Sequence, residues 1–311
     1  MPKKIVLILL LTICTSLSSS AQYYEPFILG QSLPLFQNAS FSGTLIYPRI
    51  TTGLVMKGFT SPSLFSTTKF YTSFDQYIPA IRCGFGFVYS STPDIFTPFK
   101  VQRNQFELAL SPKIKLAKKR TLSLGGSIGI GTPSYRVDSL NKYGPDGINP
   151  SDKITYSVSA LYNSATFYVG YSFREYSSVN VESMPAMQGK YNFSLHNRQL
   201  STLQLAYVFR KKKSDKVTFS PALIVQYYHL PNFSSVVRYQ LNLNFKRNFF
   251  FYGFGFGSTS LFAMMGFQGE KIRLAYAGSL IADSNNPEIF YQEIVFSYLF
   301  FKRKPITKIE K

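Results

Sequence analysis

The stretch VVRYQLNLNFKRNFFFYGFGFGS, residues 236–258, alternates two kinds of side chain with a period of two. Val237, Tyr239, Leu241, Leu243 and Phe245 fall on one side of an extended chain, and Arg238, Gln240, Asn242, Asn244 and Lys246 fall on the other. Only a β-strand keeps residues i and i+2 on one face, so the pattern calls for a sheet with one apolar and one polar face. One such run is weak evidence; its recurrence is what decides. Leu122, Leu124, Gly126, Ile128 and Ile130 alternate with Thr121, Ser123, Gly125, Ser127 and Gly129. Ile272, Leu274 and Tyr276 alternate with Arg273, Ala275 and Ala277, and Ile294, Phe296, Tyr298 and Phe300 oppose Glu293 and Ser297.

The N-terminus indicates where such a sheet has to live. Lys3 and Lys4 precede an apolar run from Ile5 to Ile13, too short to span a bilayer, and Ser19-Ser20-Ala21 supplies small residues for a signal peptidase. Residues 1–21 therefore read as a signal peptide cleaved after Ala21. Ile13 stands before Cys14 where a lipoprotein signal wants a small residue, which argues against lipidation. The exported chain keeps one cysteine, Cys83, so it forms no internal disulfide, and a thiol in an apolar strand reads as a small hydrophobe.

Removing Lys3 and Lys4 leaves 32 of the 34 Lys and Arg against 15 Asp and Glu, a formal charge of +17. Such a balance raises a nucleic-acid hypothesis. Composition opposes it, because charged residues make up only 16 % while the chain carries 30 Phe and 22 Tyr, residues that membrane–water interfaces take up readily. Trp, also common there, is absent. No later apolar run reaches the length of a spanning helix. An exported chain with membrane-suited periodicity then has one way to cross a bilayer: a closed barrel in which every backbone N–H and C=O is paired.

Turn residues divide the chain into about fourteen strands, near 46–58, 63–74, 81–91, 101–116, 121–135, 154–164, 166–174, 198–210, 217–229, 235–246, 249–259, 261–268, 271–282 and 288–300. The expected fold is all-β, a transmembrane antiparallel up-and-down β-barrel occupying 22–311. Residues 22–45 are expected as an N-terminal periplasmic segment and 301–311 as a basic C-terminal tail. One set of connections is short or basic: Asp75–Ala80, Lys118-Lys119-Arg120, Asn163–Ala165, Lys211-Lys212-Lys213, Lys246-Arg247 and Gly269-Glu270. The other set includes the long ones, Arg136–Lys153 and Glu175–Asn197. With both termini periplasmic, the basic set faces the periplasm and the long loops face outward.

Catalytic chemistry finds little footing. His196 and His229 stand in no metal spacing, and His229, beside Leu230-Pro231, reads as an interfacial residue rather than the base of a barrel phospholipase. GFGFG (Gly253–Gly257) lacks the Lys-Ser/Thr of a phosphate loop and opens no helix; glycine every second residue instead gives a smooth lumen face or room for close packing. No catalytic, cofactor-binding or metal site is expected. Lysines in the RKKKSDK turn (Arg210–Lys216) are expected to stay in water or to dock an acidic periplasmic partner. Lys211, Lys212, Lys213, Lys246 and Arg247 are the candidate docking residues.

LPLFQNASFSGTLIYPRI (Leu33–Ile50) resembles the N-terminal signature of the PorP/SprF family, an NPAYAG-like motif before the first strand, with Asn38-Ala39-Ser40-Phe41-Ser42-Gly43 in its place. GEKIRLAYAGSLIADSNNPEIFYQEIVFSYLF (Gly269–Phe300) is similar to the family's closing strand pair, with Gln292-Glu293-Ile294, Tyr298 and Phe300 carrying the match. Gln292 stands where His is typical, and Ala277-Gly278 replaces the usual Tyr-Asp. The resemblance implies an outer-membrane barrel of the type IX secretion and gliding-motility apparatus. It implies periplasmic and outer-membrane machine components and a secreted cell-surface protein as partners; the aromatic composition and export already point to membrane lipid and to no nucleic acid. A porin or small-solute transporter on the same fold is the alternative. Mass spectrometry of the protein from native outer membrane is expected to find Gln22 as the first residue; an intact Met1 would overturn the signal-peptide reading.

Overall fold

Period-two alternation gives fourteen antiparallel strands, each hydrogen-bonded to its neighbours in chain order. The computed structural model describes residues 34–45, 47–59, 65–94, 101–135, 153–178, 198–209, 217–229, 235–258, 260–283 and 286–300. The strands are β1 (Arg49–Phe59), β2 (Phe65–Ile78), β3 (Cys83–Asp94), β4 (Val101–Ala117), β5 (Arg120–Tyr135), β6 (Lys153–Asn163) and β7 (Phe167–Ser178). They continue as β8 (Arg198–Tyr207), β9 (Val217–His229), β10 (Val236–Arg247), β11 (Phe250–Gly257), β12 (Ser260–Gln268), β13 (Ile272–Asp283) and β14 (Asn286–Leu299). β14 returns to β1 in a continuous ladder, from Arg49 opposite Leu299 to Phe59 opposite Ile289, so the sheet has no edge. The expected barrel and strand number hold; the boundaries shift by a few residues.

An even strand number puts the start of β1 and the end of β14 at one end of the barrel, here termed the terminal end. The turns at 79–82, 118–119, 164–166, 248–249 and 269–271 all lie there by strand direction. Arg82 (φ 50°) and Asn248 (φ 54°) take the left-handed conformation that tight turns require. Exposed Arg82, Lys118, Lys119, Arg120, Arg247 and Lys271 make the described part of this rim basic. Lys211, Lys212 and Lys213, the long loops and the 301–311 tail lie outside the described residues.

The outward side chains are those a bilayer favours: Leu108, Leu110, Ile128, Val158, Leu261 and Met265 are each exposed by half or more. Near the terminal end Tyr207, Phe209, Phe219, Phe245 and Tyr252 form a ladder of rings across β8 to β11, with successive centroids 4.4, 5.8, 4.9 and 5.5 Å apart. Such a band sits at the depth where hydrocarbon gives way to headgroups.

Arg238, Gln240, Asn242 and Asn244 read from the sequence as the lining of a wet interior, and the inside departs from this. Gln240 and Asn242 are buried, and Val55, Tyr71, Phe251, Phe262, Met264, Tyr291 and Val295 belong to one apolar cluster in the barrel. β10 keeps its alternation through Arg247, so Lys246 is a half-buried inner-face residue and only Arg247 reaches the exposed rim; the turn itself is Asn248-Phe249. Phe249-Phe250-Phe251 reads from the sequence as part of the interfacial aromatic band; Phe251 points inward instead, under the Arg273 guanidinium 4.9 Å from its ring centre. The reason is parity: two turn residues place Phe250 outside and Phe251 inside. The glycines provide the space for this packing, since a Cβ on Gly255 would overlap the Phe262 ring and one on Gly266 the Phe251 ring.

Among the described residues three carboxylates lie buried on the inner wall, each with a donor. Tyr71 donates its hydroxyl to Glu293 Oε1 at 2.8 Å, Arg174 Nη2 donates to Glu107 Oε1 at 2.8 Å, and Arg49 Nε donates to Asp75 Oδ1 at 2.7 Å. Glu293 is fully buried, so losing a donor leaves charge in a low-dielectric core. Tyr71→Phe is expected to cost about 1–3 kcal/mol. The check is the urea midpoint of the barrel's circular dichroism in detergent micelles; an unchanged midpoint would mean that other groups satisfy Glu293.

Candidate functional site

Thr44 and Leu45 connect β1 to a short segment whose position the strand pattern alone does not give. A one-turn helix α1 (Pro34–Gln37) and a 3-10 turn (Ala39–Phe41) lie inside the barrel, with Leu35, Phe36, Asn38, Ala39, Ser40, Phe41 and Ser42 buried. The sequence reads residues 22–45 as an N-terminal periplasmic segment; the described residues 34–43 pack within the barrel. Its contacts fall on Gly84, Ser111, Gly125, Ser159 and Gly170, which lie toward the terminal ends of β3 to β7. The segment therefore lodges, like a stopper, inside the terminal half of the lumen against β3 to β7.

Local chemistry explains the fold of this stopper. Asn38 caps the 3-10 turn, its Oδ1 accepting the Ser40 N–H at 2.9 Å. Backbone bonds within the segment run from the N–H of Asn38 to Pro34, Phe41 to Asn38, Ser42 to Ala39 and Thr44 to Phe41. Gly43 then turns the chain with φ +60°, and a Cβ there would stand 2.7 Å from Gly84 Cα, 2.8 Å from the Gln76 carbonyl and 2.9 Å from Tyr77 Cα. Only glycine meets both the conformation and the space. Gly84 is the reciprocal half, since a Cβ on it would strike the Ser42 carbonyl oxygen. Gly86, Gly125 and Gly170 face Ser42, Ser40 and Asn38 in turn.

One side of the stopper is held by hydroxyls and amides. The Ser159 hydroxyl accepts the Ser40 N–H at 3.0 Å and bonds the Ser40 hydroxyl at 2.8 Å. Ser111 Oγ donates to the Ser40 carbonyl at 3.2 Å, and Ser172 Oγ to the Gln37 carbonyl at 2.8 Å. Asn38 Nδ2 donates to the Tyr171 carbonyl at 3.3 Å, and Gln204 Nε2 to Gln37 Oε1. The opposite side is apolar: Leu35, Phe36 and Ala39 join the barrel's core cluster, and the Phe36 ring meets Tyr71 edge-on at 5.1 Å. Phe41 meets Tyr168 the same way at 5.4 Å. Asp75 fastens the join to β1, accepting the Gly43 N–H on Oδ2 at 3.2 Å and Arg49 Nε on Oδ1.

A model of the family described as type IX secretion system membrane protein PorP/SprF matches residues 65–292. The chain belongs to this family. This PorP/SprF barrel is accordingly an outer-membrane protein of type IX secretion. The Asn38–Gly43 motif that resembles the family's N-terminal signature is the stopper itself, and the Gln292-Glu293-Ile294 strand supplies the carboxylate under Tyr71.

Among solved structures, the Pseudomonas putida toluene transporter TodX is similar at 10 % identity, covering 90 % of this chain and 95 % of that one, with a TM-score of 0.47. The Ralstonia pickettii toluene transporter TbuX is similar at 9 % identity over 88 % and 93 %, with a TM-score of 0.46. The Acinetobacter baumannii outer membrane protein Omp33 is similar at 7 % identity over 83 % and 100 %, with a TM-score of 0.46. No curated protein matches the chain.

His229 ends β9, exposed, with Nδ1 3.3 Å from Ser235 Oγ. Of the candidate docking residues, Arg247 lies on the exposed rim and Lys246 faces inward near it. Sequence reasoning passes over the stopper because a short segment without periodicity looks like linker. A signal is nevertheless present: about half of the described inner positions of β3 to β7 are Gly or Ser, which leaves room beside the wall. Gly84→Val is expected to dislodge residues 34–43, at about 1–3 kcal/mol for the overpacking. Limited proteolysis of the folded barrel should then cut within 34–43; resistance equal to the parent protein would show that the socket yields instead.

Proposed function

We propose that this PorP/SprF protein is a non-enzymatic assembly or anchoring component of type IX secretion, rather than an open pore. The observation that carries the reading is the occupied interior: residues 34–43 pack inside the terminal half of the barrel against β3 to β7, and Phe251, Phe262, Met264 and Tyr291 are buried on the inner wall elsewhere. A general porin works by leaving an aqueous channel. In this reading the terminal end faces the periplasm, and its basic rim docks acidic components of the machine. The long loops at the far end engage a secreted cell-surface protein, and lipid surrounds the aromatic and aliphatic wall.

Charge supports the rim's role. Arg82, Lys118, Lys119, Arg120, Arg247 and Lys271 are exposed at one end, and in this reading Lys211, Lys212 and Lys213 add to the same rim. Clustered like charge costs the barrel self-repulsion and draws an oppositely charged partner from solution. Replacing Lys118, Lys119, Arg120, Lys211, Lys212 and Lys213 with Gln is expected to weaken co-purification of periplasmic machine components roughly tenfold, about 1.4 kcal/mol. Raising the salt should weaken the parent interaction in the same direction, because a Debye length of about 8 Å at physiological ionic strength shrinks to about 3 Å at 1 M. Quantitative affinity purification from the outer membrane decides the matter: unchanged recovery from the six-residue variant would remove the rim from the docking surface.

A further inference from the structure

The lumen has two unlike halves. Around β11 to β2 it holds most of the apolar core, with Phe251, Phe262, Met264, Tyr291 and Val295 buried beside the paired Asp75 and Glu293. Around β4 to β8 the inner wall is a lane of small hydroxyls, with Ser111, Ser127, Ser157, Ser159, Ser172 and Thr202 among its buried residues. At the terminal end that lane meets the stopper. Farther along it, the Glu107–Arg174 pair lies on the wall over Gly129, whose added Cβ would stand 3.2 Å from Glu107 Cβ.

The stopper is attached to this lane in a particular way. Among the described residues its backbone-to-backbone bonds close within the segment, and its bonds to the wall involve a side chain on at least one side. Withdrawal would break no β-ladder, and the hydroxyls it uncovers would be rehydrated rather than orphaned. The join to β1 is fastened at Gly43 and Arg49 by one carboxylate, Asp75, so the segment has a fixed pivot beside a residue of unusual conformational freedom.

From this we infer that residues 34–43 are a removable stopper, and that the barrel, closed at rest, conducts water, small ions and small polar solutes along its hydroxyl-lined half when the stopper swings out about Gly43. The apolar half stays packed and limits the passage to small species. The Glu107–Arg174 pair places both charge signs beside the path, and Lys113, whose Nζ donates to Ser123 Oγ on the same wall, adds a net positive charge, so the open state favours Cl⁻ modestly over K⁺. This activity goes beyond the anchoring role and does not rest on it.

The test uses the whole purified chain in planar bilayers with KCl as the probe. Brief openings of small, uniform conductance between long closed periods are expected. A Ser40→Cys, Ser159→Cys pair in a Cys83→Ser background joins two positions whose hydroxyls lie 2.8 Å apart. Oxidation of that variant should reduce the open fraction about tenfold or more, and reductant should restore it. Should the pair not oxidise, a Ser40→Cys, Cys83→Ser barrel of native heat-modifiability provides the second readout, and its thiol is expected to react slowly and completely with a small maleimide. A parent protein that never opens, openings that persist in the oxidised variant, or a Ser40→Cys thiol that stays unreactive in the folded barrel would each overturn the inference. Loss of rim docking would leave these outcomes untouched, and their failure would leave the docking result standing.

Discussion

Hydrocarbon offers a peptide group no hydrogen-bonding partner, and the rest of this molecule follows from that constraint. A sheet can meet it only by closing, which here means β14 pairing with β1 over the whole length of β1. Closure then fixes two faces at once. The outer one must suit lipid, and the inner one encloses a space that something has to fill. Fourteen strands enclose more volume than their own inward side chains can occupy when so many of these are Gly, Ser, Ala and Thr. The chain resolves this by filling part of the space with core residues of β11 to β2 and part with its own N-terminal segment.

That division explains the glycines better than lumen smoothing does. Gly255 and Gly266 let Phe262 and Phe251 lie against the wall, so in that half glycine makes room for neighbouring aromatic rings. Gly84, Gly86, Gly125 and Gly170 make room for backbone and short side chains of residues 38–42. Both uses are close packing, with different occupants. The buried ion pairs fit the same picture: Asp75 and Glu107 sit among small residues, where a paired charge can be enclosed without displacing an apolar neighbour. Neither pair is strong evidence of stability by itself, but removing one member would strand the other in a dry interior.

The barrel is legible in the sequence because alternation is a property of each strand separately, and fourteen repetitions average out local exceptions. Strand direction then sorts the basic turns to one end without any need for side-chain detail. Parity is harder. Phe251 is misplaced by the sequence pattern because the turn after Arg247 has two residues, and one residue more or fewer exchanges inside for outside along the whole of β11. The stopper is illegible for a different reason. Its position depends on complementarity between Asn38–Gly43 and glycines far along the chain, from Gly84 to Gly170, and no periodicity records a contact of that kind.

A segment that plugs a membrane barrel can be built as a strand of the wall's own ladder or as a separate body lodged within it. Here Gly43 separates the two regimes. On its C-terminal side, β1 is committed along its length to ladders with β2 and β14. On its N-terminal side, the peptides bond to one another and meet the wall through Ser, Asn and Gln side chains. A ladder is cooperative, because losing one bond strains the next, whereas side-chain bonds to hydroxyls exchange singly with water. The same sequence thus combines a wall that cannot open without unfolding and an occupant that can leave without unfolding the wall. What opposes its leaving is the burial of Leu35, Phe36 and Ala39 together with the side-chain bonds of Gln37, Asn38 and Ser40 to the wall. The balance between these few contacts and the hydration of a serine-lined wall sets how often the lumen is closed.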